Sequence, residues 1–525
     1  MVGSMRETER KYEVPSSEDI SWLPELERLD GVTRVADSHS EELDAVYYDT
    51  EDLRLLGSSV TLRRRSGGSD AGWHLKLPLP GDSREEVRSA PTEDIPGALL
   101  DLTLSRTRGA ELTPVVRMHT HREVWPLMDA EGPEGAPRAE VSVDAVDAES
   151  LRAEGGHTAW RELEVETAGE EEADRAVLDA VDEALRERGL ARAQAPSKLA
   201  RAVEETGAAP SGEPDRSAGP AGEPDRSAGP AGEQVLAYLR AQIESLTAYD
   251  PAARRDRPDA VHRMRVACRR LRSCLRSYRS VLDREVTDPV RGELKWLAGE
   301  LAPERDQEVL MERLTHGIET LPRELLLGPV TARLRVWEVA RHAENHQRTL
   351  DALHSRRYLA LLDSLATLVE QPPLRAKAAG EADKVMVKGV LKEFDRLAEG
   401  MGVALSLPPG ARRDVALHEA RKSAKKVRYA SEVARAAVGE PAKRLGKRAK
   451  AVQQLLGDHQ DSVVARGTLR DLATAARTAH ETGFTWGLLY GREEAVAEKR
   501  EGELPTVWER ASKPALRKRL RHARA

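Results

Sequence analysis

The sequence predicts an α+β multidomain fold, with an N-terminal eight-stranded antiparallel β-barrel and flanking helices followed by an all-α domain of two duplicated helical bundles. Three observations predict it. Apolar residues alternate with polar ones up to about residue 205 and recur at helical spacing beyond Gln234. Between these regions GEPDRSAGPA occurs twice in tandem, at 212–221 and 222–231, with no residue large enough to build a core. A stripe of His, Arg and Lys in the helical half recurs 156 residues later. A chain of 525 residues also exceeds one ordinary core. The expected boundaries are a barrel domain at 1–205, a flexible linker at 206–233 and a helical domain at 234–525, whose pseudo-repeats span about 234–375 and 376–525.

The barrel elements follow in order from period-two runs bounded by Gly, Pro and Asp. Strands are expected at Arg6–Val14, Ala45–Asp49, Ser59–Arg65, Trp73–Leu77, Arg84–Ser89, Val115–Leu127, Arg138–Val146 and Trp160–Thr167. Helical spacing over Glu171–Arg188 and a short helix at Ser197–Glu205 close the domain. Everything after Gln234 reads as nearly continuous helix.

The net charge of −7 conceals a division at the linker. Residues 1–232 hold 27 Lys and Arg against 49 Asp and Glu, or −22, whereas residues 233–525 hold 55 against 40, or +15. No apolar run approaches the roughly 20 residues of a membrane span, and MVGSMRETER lacks the apolar core of a secretory signal, so a cytoplasmic protein with no membrane partner is expected. Cys268 and Cys274, alone in the chain, exclude a disulfide framework and read as core or helix-face residues.

Charge parity along the strands carries the chemistry, because residues two apart share a face. Glu7, Glu9 and Lys11 share one face of ETERK, and Glu162, Glu164 and Glu166 share one face of WRELEVE, opposite Leu163 and Val165. Glu140 and Asp144 repeat the pattern against Val141 and Val143. Basic rows accompany them: Arg63 and Arg65, Lys76 opposite Trp73, Leu75 and Leu77, Arg84 beside Glu86, and Arg122. The plain alternative is a solvated outer face of antiparallel strands. Six strands that set mixed charge against clean apolar faces favour a shared cavity instead. Carboxylates hold Mg²⁺ or Mn²⁺ while Arg and Lys neutralise phosphate oxygens, so the mixture suits a polyphosphate bound with divalent metal.

From ETERK onward, residues 5–202 resemble the CYTH superfamily, the triphosphate tunnel metalloenzymes, whose signature is an N-terminal Glu-x-Glu-x-Lys strand. The resemblance continues through YYDTEDLRLLGSSVTLRRR, Lys76, Arg84 with Glu86, and WRELEVE. It implies a tunnel barrel with Glu7, Glu9, Glu162 and Glu164 as metal ligands and Glu166 and Asp144 as further candidates. Arg63, Arg65, Lys76, Arg84, Arg122 and Lys198 would hold phosphates, with Lys11 and Glu9 at the reacting end. Members hydrolyse inorganic, nucleoside or thiamine triphosphate, or cyclise ATP, using Mg²⁺ or Mn²⁺ at a two-metal site. Few Tyr or Trp and no Phe stand in the barrel strands, which favours inorganic triphosphate. One departure is Thr120, where the family often has a basic residue two before Arg122; Arg117 would reach that face only through a β-bulge.

In the helical half, His262, Arg265, Arg269, Arg272 and Arg276 follow at spacings of 3, 4, 3 and 4, one helical stripe. His418, Arg421, Lys425 and Arg428 repeat it, and Asp306 and Asp461 recur with an offset of 155. Two stripes converging on one groove suit a long anion of no fixed shape, whereas single stripes are commonly solvated faces. PAKRLGKRAKAVQQ adds further cations, and the scarcity of aromatic residues among them disfavours nucleic acid. VHRMRVACRRLRS and LHEARKSAKKVRYA resemble the two copies of the CHAD domain motif, over about 235–520. That resemblance implies inorganic polyphosphate bound in a basic channel by His262, Arg265, Arg269, Arg272, His418, Arg421, Lys425 and Arg428, without catalysis, and an association with polyphosphate granules. The expected protein is a metal-dependent inorganic triphosphatase with a polyphosphate-binding domain. Its alternatives are a weakly catalytic or non-catalytic polyphosphate binder, a nucleoside or thiamine triphosphatase, and an adenylate cyclase.

Overall fold

The computed structural model describes residues 3–15, 18–79, 81–128, 137–153, 155–167, 172–208 and 230–523. The chain divides into two compact units, residues 1–218 and 219–525. Most of the expected linker, residues 209–229, lies outside the described residues.

In the first unit the strands are β1 (Gly3–Glu13), β2 (Arg34–Val35), β3 (His39–Asp49), β4 (Thr61–Ser66), β5 (Gly72–Pro78), β6 (Ser83–Ser89), β7 (Thr113–Met128), β8 (Ala139–Ser150) and β9 (His157–Thr167). Every pairing is antiparallel, in the order β7-β3-β4-β5-β6-β1-β9-β8, and β8 pairs back with β7 to close an eight-stranded barrel. The two-residue β2 adds to β7 outside the ring. Closure leaves the eight ring strands no free edge, and strict alternation sends one face of each inward. Register then sets opposite charges side by side: Glu7 against Arg84, Lys11 against Glu164, Lys76 against Glu86, and Arg122 against Asp144.

Helices α1 (Arg54–Gly57), α2 (Gly97–Thr107), α3 (Glu172–Glu187) and α4 (Lys198–Glu205) cover the outward apolar faces. Val177, Leu178, Val181 and Leu185 of α3 pack on Tyr12, Val141, Val143, Leu163 and Val165, while Leu99 and Leu102 of α2 pack against Trp73, Leu75 and Val87. Sequence periodicity does not reveal α1 and α2. Neither helix has a side-chain cap of its own, and the α1 amides of Leu55 and Leu56 are met instead by the buried Asp49 carboxylate, each at 2.9 Å.

The second unit begins with α5 (Ala231–Ala248), α6 (Asp250–Arg254), α7 (Ala260–Ser277), α8 (Arg284–Glu300), α9 (Ala302–Glu319), α10 (Val330–His354) and α11 (Arg356–Glu370). It continues with α12 (Ala382–Ser406), α13 (Ala411–Val438), α14 (Glu440–Thr478), α15 (Phe484–Ser512) and α16 (Pro514–His522). The duplicated stripes lie on α7 and α13. The duplicated Asp residues lie on α9 and on α14, which runs unbroken for 39 residues where the first repeat has α8 and α9. Pro303 in the first turn of α9 lacks an amide hydrogen and marks that break. The repeats share their cores. One core joins α5, α7 and α8 with α12, α13 and α14, and another joins α9 and α10 with α14 and α15. Both cysteines are buried in the first of these. Among the described residues no helix is long and apolar enough to cross a membrane.

Candidate functional site

The barrel encloses a cavity of about 330 Å³. Of the residues singled out by parity, Glu7, Glu9, Lys11, Arg63, Arg65, Lys76, Arg84, Arg122, Glu164 and Glu166 all line it, as does Lys198, which the resemblance implied. Asp144 and Glu162 do not line the cavity. They are buried in the barrel wall behind Lys198, whose ammonium nitrogen lies 2.9 Å from Asp144 Oδ2, 2.8 Å from Glu162 Oε1 and 2.6 Å from Glu164 Oε1. Local structure explains the reach of Lys198. Ser197 caps α4 by accepting the Ala200 amide at 3.1 Å, which holds Lys198 in the first turn, while Leu199, Ala202 and Val203 fix the helix against the barrel.

Glu164 is the hub of the charge network. Besides Lys198 it accepts from Lys11 at 2.5 Å and from Arg122 at 2.7 Å, and burial is overcome by these three cations, which hold its carboxyl well below the usual range. Arg122 also makes a two-pronged contact to Asp144, at 2.8 and 2.7 Å. A second group of charges surrounds Glu9: Arg84 at 3.0 Å, with Lys76 and Lys11 each at 3.5 Å. Burial disfavours the Glu9 carboxylate, but Lys11 and Lys76 bring it down to about 2. Glu7 behaves oppositely. Burial pushes it up to about 8, with the neighbouring Glu166 and Glu86 adding to the rise against the pull of its ion pair with Lys76. Two acids two residues apart on one strand are thus shifted in opposite directions.

Asp144, Glu162 and Glu164 each offer an oxygen within 4.8 Å of the others, a set of hard donors that fits Mg²⁺ or Mn²⁺. Lys198 now supplies their countercharge. Glu162 is fixed further by Trp160 Nε1, which donates to it at 2.6 Å.

The sequence reading missed His74, Asp70 and Tyr47, and it noted Glu86 without giving it a role. His74 lies on the inner face of β5, its Nδ1 2.9 Å from Glu86 and its Nε2 2.8 Å from the Asp70 carbonyl. Parity from Lys76 would have found His74; Asp70, which pairs with Arg65 from the β4–β5 turn, carries no periodic signal. Tyr47 stands beside Arg63, which donates to its hydroxyl at 3.3 Å. Burial and the charge of Arg63 pull Arg65 down to about 10, so the Arg63–Arg65 row holds excess positive charge despite Asp70. Arg117 does not replace the basic residue missing at Thr120. The irregularity of β3–β7 pairing falls at Tyr47/Tyr48, short of Arg117, which points out of the barrel to Asp44 at 2.6 Å.

In the helical unit α7 packs on α13, joined by the Tyr278 hydroxyl to the Ala430 carbonyl at 2.8 Å and by Arg270 to Glu432 at 3.1 Å. The two stripes converge there. Burial pulls the Lys425 ammonium down to about 7, and Arg421 on its own helix and Arg269 and Arg265 on the facing one add to the fall against Asp461. The duplication is visible in the pairing too: Arg265 meets Asp306 at 2.9 Å and Arg421 meets Asp461 at 3.5 Å. Gly457 lets α14 approach, since a Cβ there would lie 3.2 Å from the Arg421 guanidinium. Arg272 is half-buried, and burial with Arg291 and Arg269 pulls it below the usual arginine range. Two expectations change in kind. Burial and Arg305 bring His262 down to about 4, so it is neutral rather than a cation at neutral pH, and burial lowers His418 likewise. Arg428 is engaged by Glu432 at 3.0 Å and Gln453 at 3.3 Å.

The family model for the CYTH domain matches residues 5–203, and that for the CHAD domain matches residues 237–470. An uncharacterized protein of Mycobacterium tuberculosis strain H37Rv is 37% identical over 524 residues, 98% of this chain and 97% of that protein. Among solved structures, PptA from Streptomyces chartreusis aligns with a TM-score of 0.44 and 25% identity, over 53% of this chain and 99% of its own. The CHAD domain from the plant Ricinus communis aligns with a TM-score of 0.43 and 22% identity, over 54% of this chain and 92% of its own.

Proposed function

This chain belongs to the CYTH family through its barrel and to the CHAD family through its helical unit, and from that premise we propose that it is a divalent-metal-dependent triphosphatase. It splits inorganic triphosphate into pyrophosphate and phosphate, and its helical unit holds inorganic polyphosphate. The observation that carries this reading is the barrel lining, in which rows of carboxylates and rows of Arg and Lys meet in one closed cavity.

Arg63, Arg65, Lys76, Arg84 and Arg122 grip successive phosphoryl oxygens, the arginines two-pronged. Mg²⁺ or Mn²⁺ held by Asp144, Glu162 and Glu164, and by Glu7, Glu9 and Glu166, would supply charge neutralisation and a water of lowered pKa. Lys198 exchanges its carboxylate partners for phosphate when substrate enters. Lys11, between Glu9 and Glu164, neutralises oxygen charge at the terminal phosphorus as water attacks in line and the bridging P–O bond breaks toward pyrophosphate. Tyr47, whose hydroxyl accepts from Arg63, is the sole Phe, Tyr or Trp among the described lining residues, so the lining is poor in aromatic faces for a nucleobase or thiazolium. A panel of triphosphate, ATP and thiamine triphosphate with each metal tests the assignment. Phosphate release is expected to be fastest from inorganic triphosphate, and cyclic AMP as the main product would refute it.

Polyphosphate binding should depend on pH through Lys425. With its folded value near 7, below the unfolded one, the charged form costs stability below about pH 7, and the cost lifts as pH rises toward the ordinary lysine range. A polyanion reverses that bias and draws a proton onto Lys425. Affinity is therefore expected to fall as pH rises above about 7, with proton uptake measurable by titration calorimetry in two buffers, and Lys425→Met should remove the uptake.

A further inference from the structure

Outside the residues assigned to either polyanion site, Asp256 after α6, Glu304 on α9 and His346 on α10 bring their donor atoms together. His346 Nδ1 lies 3.5 Å from Glu304 Oε1 and 3.9 Å from Asp256 Oδ1. These separations are too long for hydrogen bonds, but two donors each about 2.0–2.1 Å from one ion in tetrahedral array stand roughly 3.4 Å apart. The His346 Nδ1 atom is buried and has no hydrogen-bond partner. Glu304 is only 2% exposed, and among the described residues its sole ion pair is the one to His346; the Thr349 hydroxyl takes its other oxygen. A buried carboxylate that no Lys or Arg among the described residues pairs with needs another source of positive charge.

The second repeat shows what that position requires. Its counterparts are His459 on α14 and Glu501 on α15, each 155 residues after Glu304 and His346, joined by Asp414 on α13. There the acid and the imidazole have exchanged places. His459 Nε2 is 3.1 Å from Glu501, and Arg413 Nε, 3.2 Å from the same carboxylate, supplies the cation. In the first repeat Arg255 precedes Asp256 as Arg413 precedes Asp414, but among the described residues no Lys or Arg makes an ion pair with Glu304.

We propose that Asp256, Glu304 and His346 bind a first-row divalent transition-metal ion in the helical unit, a site separate from the barrel carboxylates. His342, 2.7 Å from the second oxygen of Asp256 and stacked beside His346, positions that carboxylate. The ion ties the segment after α6 to α9 and α10.

The test uses the full-length, tag-free protein stripped with chelator and titrated calorimetrically with Zn²⁺. Because barrel carboxylates also take Zn²⁺, the reading is a difference: His346→Gln is expected to lose one equivalent, in the wild-type background and in Glu7→Ala/Glu9→Ala alike. An unchanged number of equivalents overturns the proposal. A second measurement needs no variant. In wild-type protein Zn²⁺ should protect His346 from carbethoxylation, read by peptide mass spectrometry, and unaltered modification of His346 would also overturn it.

Discussion

Glu164→Gln is expected to lower triphosphate hydrolysis by roughly 10²–10³-fold and to destabilise the barrel in the absence of ligand by about 3–5 kcal/mol. Glu164 is the common partner of Lys11, Lys198 and Arg122, so its neutral replacement leaves three buried cations one carboxylate short. The two effects separate on adding triphosphate. The polyanion supplies the missing negative charge, so saturating triphosphate should restore most of the barrel's thermal stability while activity stays low. A variant that is stable without ligand, or active with it, would show that Glu164 is peripheral. Thermal unfolding with and without triphosphate, beside phosphate release, makes the comparison.

The second large effect concerns the helical groove. Arg265→Ala/Arg421→Ala is expected to weaken polyphosphate binding by roughly 10²-fold and to lower the slope of log affinity against log salt by about 2, one for each lost phosphate contact. Both arginines are held by an Asp of the duplicated motif, Arg265 by Asp306 and Arg421 by Asp461. Asp306→Asn/Asp461→Asn should therefore act in the opposite sense and tighten binding. Unchanged affinity and salt slope in the arginine variant would remove the groove as the binding surface.

Much of this site can be read in the sequence because a barrel converts local alternation into a shared interior. Once ETERK and WRELEVE are known to be strands, parity alone sends Glu7, Glu9, Lys11, Glu164 and Glu166 into one cavity, opposite Leu163 and Val165. What parity does not encode is depth. Asp144 and Glu162 have the inward parity, yet Lys198 lies between them and the cavity, because buried carboxylates must be paired and an ammonium on the closing helix reaches them. Turn-borne groups such as Asp70 have no periodicity to betray them. In the helical unit the 3-4 spacing located both stripes, but the charge of each member depends on surroundings that spacing leaves open: His262 is driven neutral and Lys425 is brought down to about 7, while Arg428 turns to Glu432. The short α2 escaped notice because GALLDLTLSRT packs one outer face of the barrel without a capping side chain.

Phosphate release from inorganic triphosphate by wild type and by Glu7→Ala/Glu9→Ala, with Mg²⁺, with Mn²⁺ and with chelator, bears most directly on the barrel as a metal-dependent triphosphatase. Rapid release by wild type that requires either metal and falls by at least about 10²-fold in the variant is the expected result. Release that is absent from wild type with both metals, or equal in the variant, would contradict the account and leave a protein that binds polyphosphate without cleaving triphosphate.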